Sequence, residues 1–257
     1  MSKVLNLSLR PVFRSIGARA VAVLALCATQ LAQAQTFHSL DTGREIGFVS
    51  FGVVLHSAAV VRSMGPHQHT LPQDASRVPG IDRIALAQWH PGAHTASNVL
   101  FGLTAAGALA LGFVNQHGQQ PLLPAAITLE TVLLTSGLTN VVKEWVGRPR
   151  PYAYNPDVPM DQRTDADAYV SFWSGHTANT AALTFSTAAM VQRSDASPGL
   201  KTATWIGAAT LPAAMGLMRV KAGRHFPTDV LTGYAVGALV GVLVPYFHRS
   251  EKSPVPH

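Results

Sequence analysis

Six stretches dominated by Ala, Leu, Val, Gly and Thr recur along the chain, at Ile46–Val61, Ala96–Val114, Leu122–Val142, Thr177–Val191, Thr202–Met218 and Val230–Phe247. None alternates apolar and polar residues with the period of two that a half-buried strand needs, and all are too long for strands. The pattern predicts helices, and the chain is read as all-α, a bundle of about six core helices. No repeat of fixed period and no low-complexity linker divides it. Gly233, Gly237 and Gly241 fall four apart on one face of the last helix, which predicts close approach by a neighbour. Glu130 and Asn140 interrupt the third apolar stretch, and each is expected to make an interhelical hydrogen bond. The connections Arg62–Thr95 and Pro149–Phe172 are long, polar and rich in Pro and Asp, a length usually associated with function.

Composition narrows the class further. Charged residues are 12% of the 257 positions and hydrophobic ones 47%, against about 25% charged in an ordinary soluble domain. Disorder and coiled coil are excluded, since both need more polarity. A formal charge of +6 suits an anionic partner, whether phosphate, lipid head group or nucleic acid. Aromatic residues do not interleave with basic ones, so no nucleic-acid partner is expected. A single cysteine, Cys27, excludes an intramolecular disulfide and a cysteine-based zinc site.

The start of the chain reads as an address. Lys3, Arg10, Arg14 and Arg19 precede an apolar run from Ala20 to Leu31 and then Ala32-Gln33-Ala34, the order of a secretory signal cleaved after Ala34. Residues 1–34 are thus expected to be a signal peptide, or an uncleaved signal anchor. Residues 35–248 form one domain, and residues 249–257 a flexible tail. The expected destination is a bacterial-type cell envelope.

The candidate chemistry sits between the apolar stretches. Lys143, Arg148 and Arg150 follow the third, and Arg219, Lys221 and Arg224 follow the fifth. Between them Phe172-Trp173-Ser174-Gly175-His176-Thr177 opens the fourth helix, offering free backbone N–H groups and a positive dipole end to an oxyanion. If the last helix begins near His225, Asp229 lies on the same face and can hold one ring nitrogen, making the other a better nucleophile. Cations around two histidines suit phosphoryl transfer without a metal: side chains neutralise the oxygens, one histidine attacks phosphorus, another protonates the leaving oxygen.

At these residues the chain resembles the type 2 phosphatidic acid phosphatase (PAP2) and vanadium haloperoxidase superfamily. Its signature is K-x6-R-P, then P-S-G-H, then S-R-x5-H-x3-D. Lys143 is followed by Arg150-Pro151, Ser174-Gly175-His176 supplies the second part, and Arg219, His225 and Asp229 the third. Trp173 replaces the signature proline and Met218 the serine, departures that bear on substrate preference and rate. The segment Ala222 to Leu231 is similar to the bacterial phosphatase version. The resemblance implies a PAP2-type bundle over about Ile46 to Phe247 with its site at one end. It implies a metal-independent phosphatase for a phosphate monoester or lipid (pyro)phosphate, working through phosphohistidine. His225 is the implied nucleophile, oriented by Asp229, and His176 the acid and later the base. Lys143, Arg150, Arg219, Ser174 and Gly175 are the phosphate binders. Arg148 is kept as an auxiliary for a second phosphate or a lipid head group.

Two other readings stay open on the same scaffold: a vanadate-dependent haloperoxidase and a non-enzymatic lipid-binding or transport protein. No cofactor is expected, and vanadate is expected to inhibit, or in the haloperoxidase reading to be the prosthetic group. Expected partners are a phosphorylated lipid or small phosphoester and membrane lipid. His67, His69, His90 and His94 are read as surface histidines without a metal, and Asp157, Asp161, Asp165 and Asp167 as solvated acids without a calcium loop. In membrane members of the family the site faces the periplasm. Cleavage after Ala34 followed by three crossings would instead leave Lys143 in the cytoplasm. Either Ile46–Val61 does not cross and the leader remains as a span, or the helices form a soluble periplasmic globule. The low charge content favours the membrane.

Overall fold

Helix ends are set by polar residues that the apolar pattern leaves out. In the computed structural model, which describes residues 38–65, 73–114 and 122–250, each apolar stretch becomes a helix extended at one or both ends. The leader through Ala34 with Cys27, His67, His69 and most of the tail lie outside the described residues. Helix α1 (Thr42–Ser63) starts at Asp41, whose carboxylate accepts from Arg44 N at 2.9 Å. Helices α2 (Pro91–Val114) and α3 (Leu123–Val146) each carry proline in the first turn, where its missing N–H costs nothing. The connection after α3 is structured by turns at Pro151–Tyr154 and Ala166–Tyr169 around a short α4 (Met160–Thr164). Helices α5 (Gly175–Gln192) and α6 (Pro198–Lys221) are N-capped by Ser174 and Ser197, and α7 spans Pro227–Phe247. Among the described residues there is no strand, and one isolated bridge joins His38 to Arg249.

Consecutive long helices alternate in direction. Gly52 and Gly137 face Leu133 and His56, so α1 runs parallel to α3. Thr131 meets Ser186 while Thr139 meets Trp173, so α3 and α5 are antiparallel. Helix α5 is buried on nearly every side by α2, α3, α6 and α7. Two of its threonines are satisfied within the helix: Thr184 and Thr187 donate to the carbonyls of Thr180 and Leu183, which lets hydroxyls sit in an apolar interior. The glycine face of α7 lies on α5 as expected. A Cβ added at Gly233, Gly237 or Gly241 would come within 2.7, 2.0 and 2.5 Å of the carbonyl oxygens of Ser174, Ala178 and Ala182. This packing brings the starts of α5 and α7 together, and with them the two candidate histidines. Glu130 is buried 3.1 Å from His248 but its Oε2 makes no hydrogen bond, so the expected interhelical hydrogen bond is not formed there, and Asn140 lies exposed.

Four helices are long and apolar enough to cross a membrane, α1, α2, α3 and α7. On α1 only Gly52 and Ala59 are buried, while Ile46, Phe51, Val53, Val54, Val60 and Val61 are each more than half exposed. Such a face suits lipid and not water. The chain is a membrane protein, and at 22 residues α1 is long enough to cross, against the expectation that Ile46–Val61 stops short.

Candidate active site

One end of the bundle gathers the last turns of α3 and α6 and the first turns of α2, α5 and α7. His225 sits there in the turn between α6 and α7, 1% exposed. Gly223 makes that turn. Its φ is +69°, and a Cβ would lie 2.2 Å from Gln88 O, so only glycine fits. The Nδ1–H of His225 donates to Ser171 O at 2.8 Å, and Nε2 accepts from Arg150 Nη1 at 3.2 Å. These partners fix the tautomer and leave the lone pair on Nε2. Burial, then the charges of Arg150, Arg219 and Lys143, push the imidazole well below its ordinary range, so it stays neutral.

The expected Asp229–His225 hydrogen bond is replaced by a relay. Helix α7 begins at Pro227, not near His225, so the two side chains do not share a helical face. Asp229 Oδ2 stays 3.7 Å from Nδ1 and accepts instead from Phe226 N at 2.9 Å and Ser171 Oγ at 2.6 Å. Ser171 thus joins the two, its hydroxyl on Asp229 and its carbonyl on His225. Asp229 therefore reaches His225 through Ser171.

Arg148 is also placed differently from its auxiliary reading. Its guanidinium donates to Asp229 at 2.5 Å, Thr228 Oγ1 at 2.9 Å and Asp82 at 2.7 Å, and stacks 4.1 Å from the Phe226 ring centroid. Both carboxylates are fully buried, so Arg148 neutralises them behind the site. Arg148→Ala is expected to lower stability by about 3 kcal/mol, because it strands two buried carboxylates. Thermal unfolding in detergent checks this, and an unchanged Tm would contradict it.

The remaining cations converge on His225. Arg150, 4% exposed, donates to Asp167 through its backbone carbonyl and its carboxylate, each at 2.6 Å, and to Arg224 O at 3.0 Å. Asp167 also accepts from Arg224 at 2.9 Å. Burial alone would raise Asp167, but Arg150 and then Arg224 hold its carboxyl below the usual carboxylate range. The solvated-acid reading of Asp167 therefore gives way to a structural anion that aims two arginines. Lys143 Nζ reaches the start of α5, 3.9 Å from where a Cβ on Gly175 would lie. Arg219 is 3% exposed and faces no carboxylate. Its Nη1 donates to His94 Nδ1 at 2.9 Å and Ser97 Oγ at 3.0 Å, while its buried Nε has no partner. Lys143, Arg150, Arg219 and Arg224 thus gather at Asp167, which makes ion pairs with Arg150 and Arg224 but not with Arg219.

The start of α5 completes the ring. Ser174 Oγ caps the helix and lies 2.9 Å from Thr177 Oγ1. His176 Nε2 lies 2.9 Å from Asn98 Oδ1; an amide oxygen only accepts, so Nε2 carries a proton there. Trp173 donates Nε1 to Thr139 Oγ1 at 2.8 Å and is buried, anchoring the turn to α3. All eight residues expected at the site, Arg148 aside, lie at this end of the bundle. The sequence reading missed Asp82, Asp167, Ser171 and a face of α2 formed by His94, Ser97, Asn98 and Phe101. His94 is not a surface histidine but a partner of Arg219. The spacing of those four positions, on one side of a helix start, was the available signal. Chemically, a neutral imidazole nitrogen ringed by uncompensated cations and a helix N-terminus binds an oxyanion and can attack its central atom.

Sequence comparison places this arrangement in a family. The PAP2 superfamily model matches residues 124–253, and the chain belongs to that superfamily. Over 117 residues it is 34% identical to phosphatidylglycerophosphatase B of Bacillus subtilis (strain 168), a match covering 45% of this chain and 53% of that protein. The chain thus spans about half the length of that curated relative. A similar solved structure is the first transmembrane PAP2-type phosphatidylglycerolphosphate phosphatase from Bacillus subtilis. It is 25% identical, with a TM-score of 0.49, covering 76% of this chain and 94% of that one.

Proposed function

We propose that this protein hydrolyses phosphate monoesters of lipids by a metal-independent covalent route. The observation that carries the reading is the neutral Nε2 of buried His225 among Lys143, Arg150 and Arg219, with a buried, unpartnered Nε on Arg219. A buried cation without a counterion is costly, and a phosphate dianion supplies what is missing. Its oxygens take donors from Arg150, Arg219, Lys143 and the Gly175 N–H. The His225 Nε2 lone pair then attacks phosphorus and the ester P–O bond breaks. His176 donates a proton to the departing oxygen. Water next attacks the phosphohistidine, giving its proton to His176 and releasing inorganic phosphate and neutral His225. The similarity to phosphatidylglycerophosphatase B makes phosphatidylglycerophosphate the first substrate to assay. A lipid substrate also agrees with an apolar cavity of about 420 Å³ between α2, α5 and α6, lined by Leu100, Leu103, Leu111, Leu200 and Leu211. It begins about two turns along α2 from His94.

The test is a pH profile with two leaving groups. His225 resists protonation well below about 6.5. In the empty site burial, then Arg219 and Lys143, push His176 down to about 3, so His176 takes up the proton it needs as acid beside a bound phosphate dianion. The expected kcat profile, which reports the substrate-bound enzyme, is a bell with its maximum on the acidic to neutral side. His176→Ala is expected to remove the alkaline limb for alkyl phosphates and to cost far less for p-nitrophenyl phosphate, whose leaving group needs no proton. Equal losses for both substrates in the phosphorylation step would make His176 a phosphate binder instead.

We also propose that the site faces the periplasm. Basic residues lie at both ends of the bundle. Those at the site end include the phosphate cluster of Lys143, Arg150 and Arg219, whereas Arg44, Arg193, Lys201 and Arg249 at the other end have no part in the site and are read as cytoplasmic flanks. Alternating helices then start α1 inside, which excludes both cleavage after Ala34 and a leader kept as a span with its amino terminus inside, since either would start α1 outside. In a Cys27→Ser background, Asp157→Cys is expected to react with a membrane-impermeant maleimide on spheroplasts and Asp195→Cys to stay protected. The reverse pattern would invert the topology.

A further inference from the structure

A second cluster of ligating side chains lies at the opposite end of the bundle, joining three helices that the active site does not use at that end. Glu45 comes from the first turn of α1, Glu130 from α3, and His248 from the C-cap of α7. Glu130 and Lys143 share α3, so the cluster is about 20 Å from the phosphate site along that helix. His248 is fully buried, and its Nε2 lies 2.9 Å from Glu45 Oε2 and 3.1 Å from Glu130 Oε2. One imidazole nitrogen satisfies one oxygen, and the hydrogen bond goes to Glu45. Glu130 Oε2, on a residue 5% exposed, is left with no hydrogen-bond partner and points into the cluster. Two carboxylates meeting at one imidazole, that of Glu130 buried and that of Glu45 partly so, suit a cation between them.

We infer that Glu45, Glu130 and His248 form a binding site for a divalent transition ion, of which Zn²⁺ is the representative. The ligand atoms all lie within 4.8 Å of one another. The two short separations are only a few tenths of an ångström below the roughly 3.3 Å edge of a tetrahedron with zinc–ligand bonds of 2.0–2.1 Å. Outer contacts orient each ligand as metal sites require. His248 Nδ1–H donates to Val244 O at 2.8 Å, which presents Nε2 as the ligand atom. Glu45 Oε1 is occupied by Arg44 Nη2 at 2.8 Å and by Asp41 N at 3.0 Å, which turns Oε2 inward. Arg44 also donates to Phe247 O at 2.6 Å and to Ser39 O, tying the start of α1 to the end of α7. The Glu45 side chain is 20% exposed and gives the ion a path in. Three ligands including an imidazole do not suit Ca²⁺, which takes six to eight oxygens. The ion would clamp α1, α3 and α7 at the end away from catalysis, a structural role with no part in phosphoryl transfer.

The experiment uses the full chain purified in detergent, stripped with EDTA, reloaded with Zn²⁺ and desalted. The expected result is about one zinc per chain by mass spectrometry and a higher Tm with zinc than after stripping. Glu130→Gln and His248→Gln are each expected to retain roughly a tenth of that zinc or less, since losing a ligand costs more than losing an outer partner. Wild-type protein that holds no zinc, or variants that hold as much as wild type, would overturn the inference. The readouts are metal content and melting, so they stand apart from phosphatase turnover. Chelation is expected to lower Tm while leaving kcat unchanged in short assays below the transition.

Discussion

His225→Ala is expected to lower kcat/KM toward phosphate monoesters by a factor on the order of 10⁴ to 10⁶, the range seen when a covalent nucleophile is removed. The loss follows from geometry as well as chemistry. Nε2 is an uncharged, buried nucleophile in a site where Arg150 lies 3.2 Å away and Arg219 is buried without a carboxylate partner. A phosphate that still binds these cations finds nothing to attack it except water held by no base of matching position. Binding should survive, because Lys143, Arg150 and Arg219 remain, so the defect belongs mainly in kcat. Steady-state kinetics with a short-chain lipid phosphate checks this, alongside a Tm within a few degrees of wild type. Turnover within tenfold of wild type would remove His225 from the mechanism.

Gly237→Val is expected to have the largest effect on folding. The added Cβ alone would lie 2.0 Å from the Ala178 carbonyl oxygen and 2.8 Å from its carbonyl carbon. Both atoms belong to the backbone of a buried helix and cannot swing aside. Overpacking of this kind costs about 3 kcal/mol or more, and relief requires α7 to move off α5. That movement separates the start of α7 from Ser174, whose N–H donates to Asp229 O at 3.0 Å. Stability and activity should therefore fall together, either as a lower yield of folded protein or as a folded protein with low kcat. Gly207→Val is the control, since its Cβ would have only the tip of Leu211 within reach, at 3.9 Å. Equal stability of the two variants would contradict the close α5–α7 approach.

The helices and the main site residues were legible because both follow local rules. Apolar runs of suitable length mark the helices, and the fixed spacings from Lys143 to Arg150 and from Arg219 through His225 to Asp229 mark the site. The errors came where a local pattern has two tertiary outcomes. Spacing of four between His225 and Asp229 suggests one helical face, but Pro227 starts α7 after His225, and the carboxylate turns to the Phe226 N–H and Ser171. Spacing from Lys143 separates Arg150 from Arg148 in the sequence. What Arg148 does instead shows only once Asp82, from a distant turn, lies buried against it. Asp167 reads as one acid among several in a loop until Arg150 and Arg224 are seen to share it. The α2 face bearing His94, Ser97 and Asn98 was hidden for another reason. Its apolar pattern starts at Ala96, and the polar first turn belongs to the site.

The central claim is that phosphate passes through His225. The most direct measurement is denaturant-quenched labelling with a ³²P-phosphorylated lipid, followed by peptide mapping. The account predicts a transient label on the peptide containing His225, stable in base and lost in acid, so the quench is made with denaturant at alkaline pH and an acid quench serves as the control that removes the label. That label should be absent in His225→Ala and should accumulate in His176→Ala with a good leaving group, where dephosphorylation lacks its base. Steady release of inorganic phosphate with no labelled protein in either wild type or His176→Ala, or a label mapped to any other residue, would contradict it.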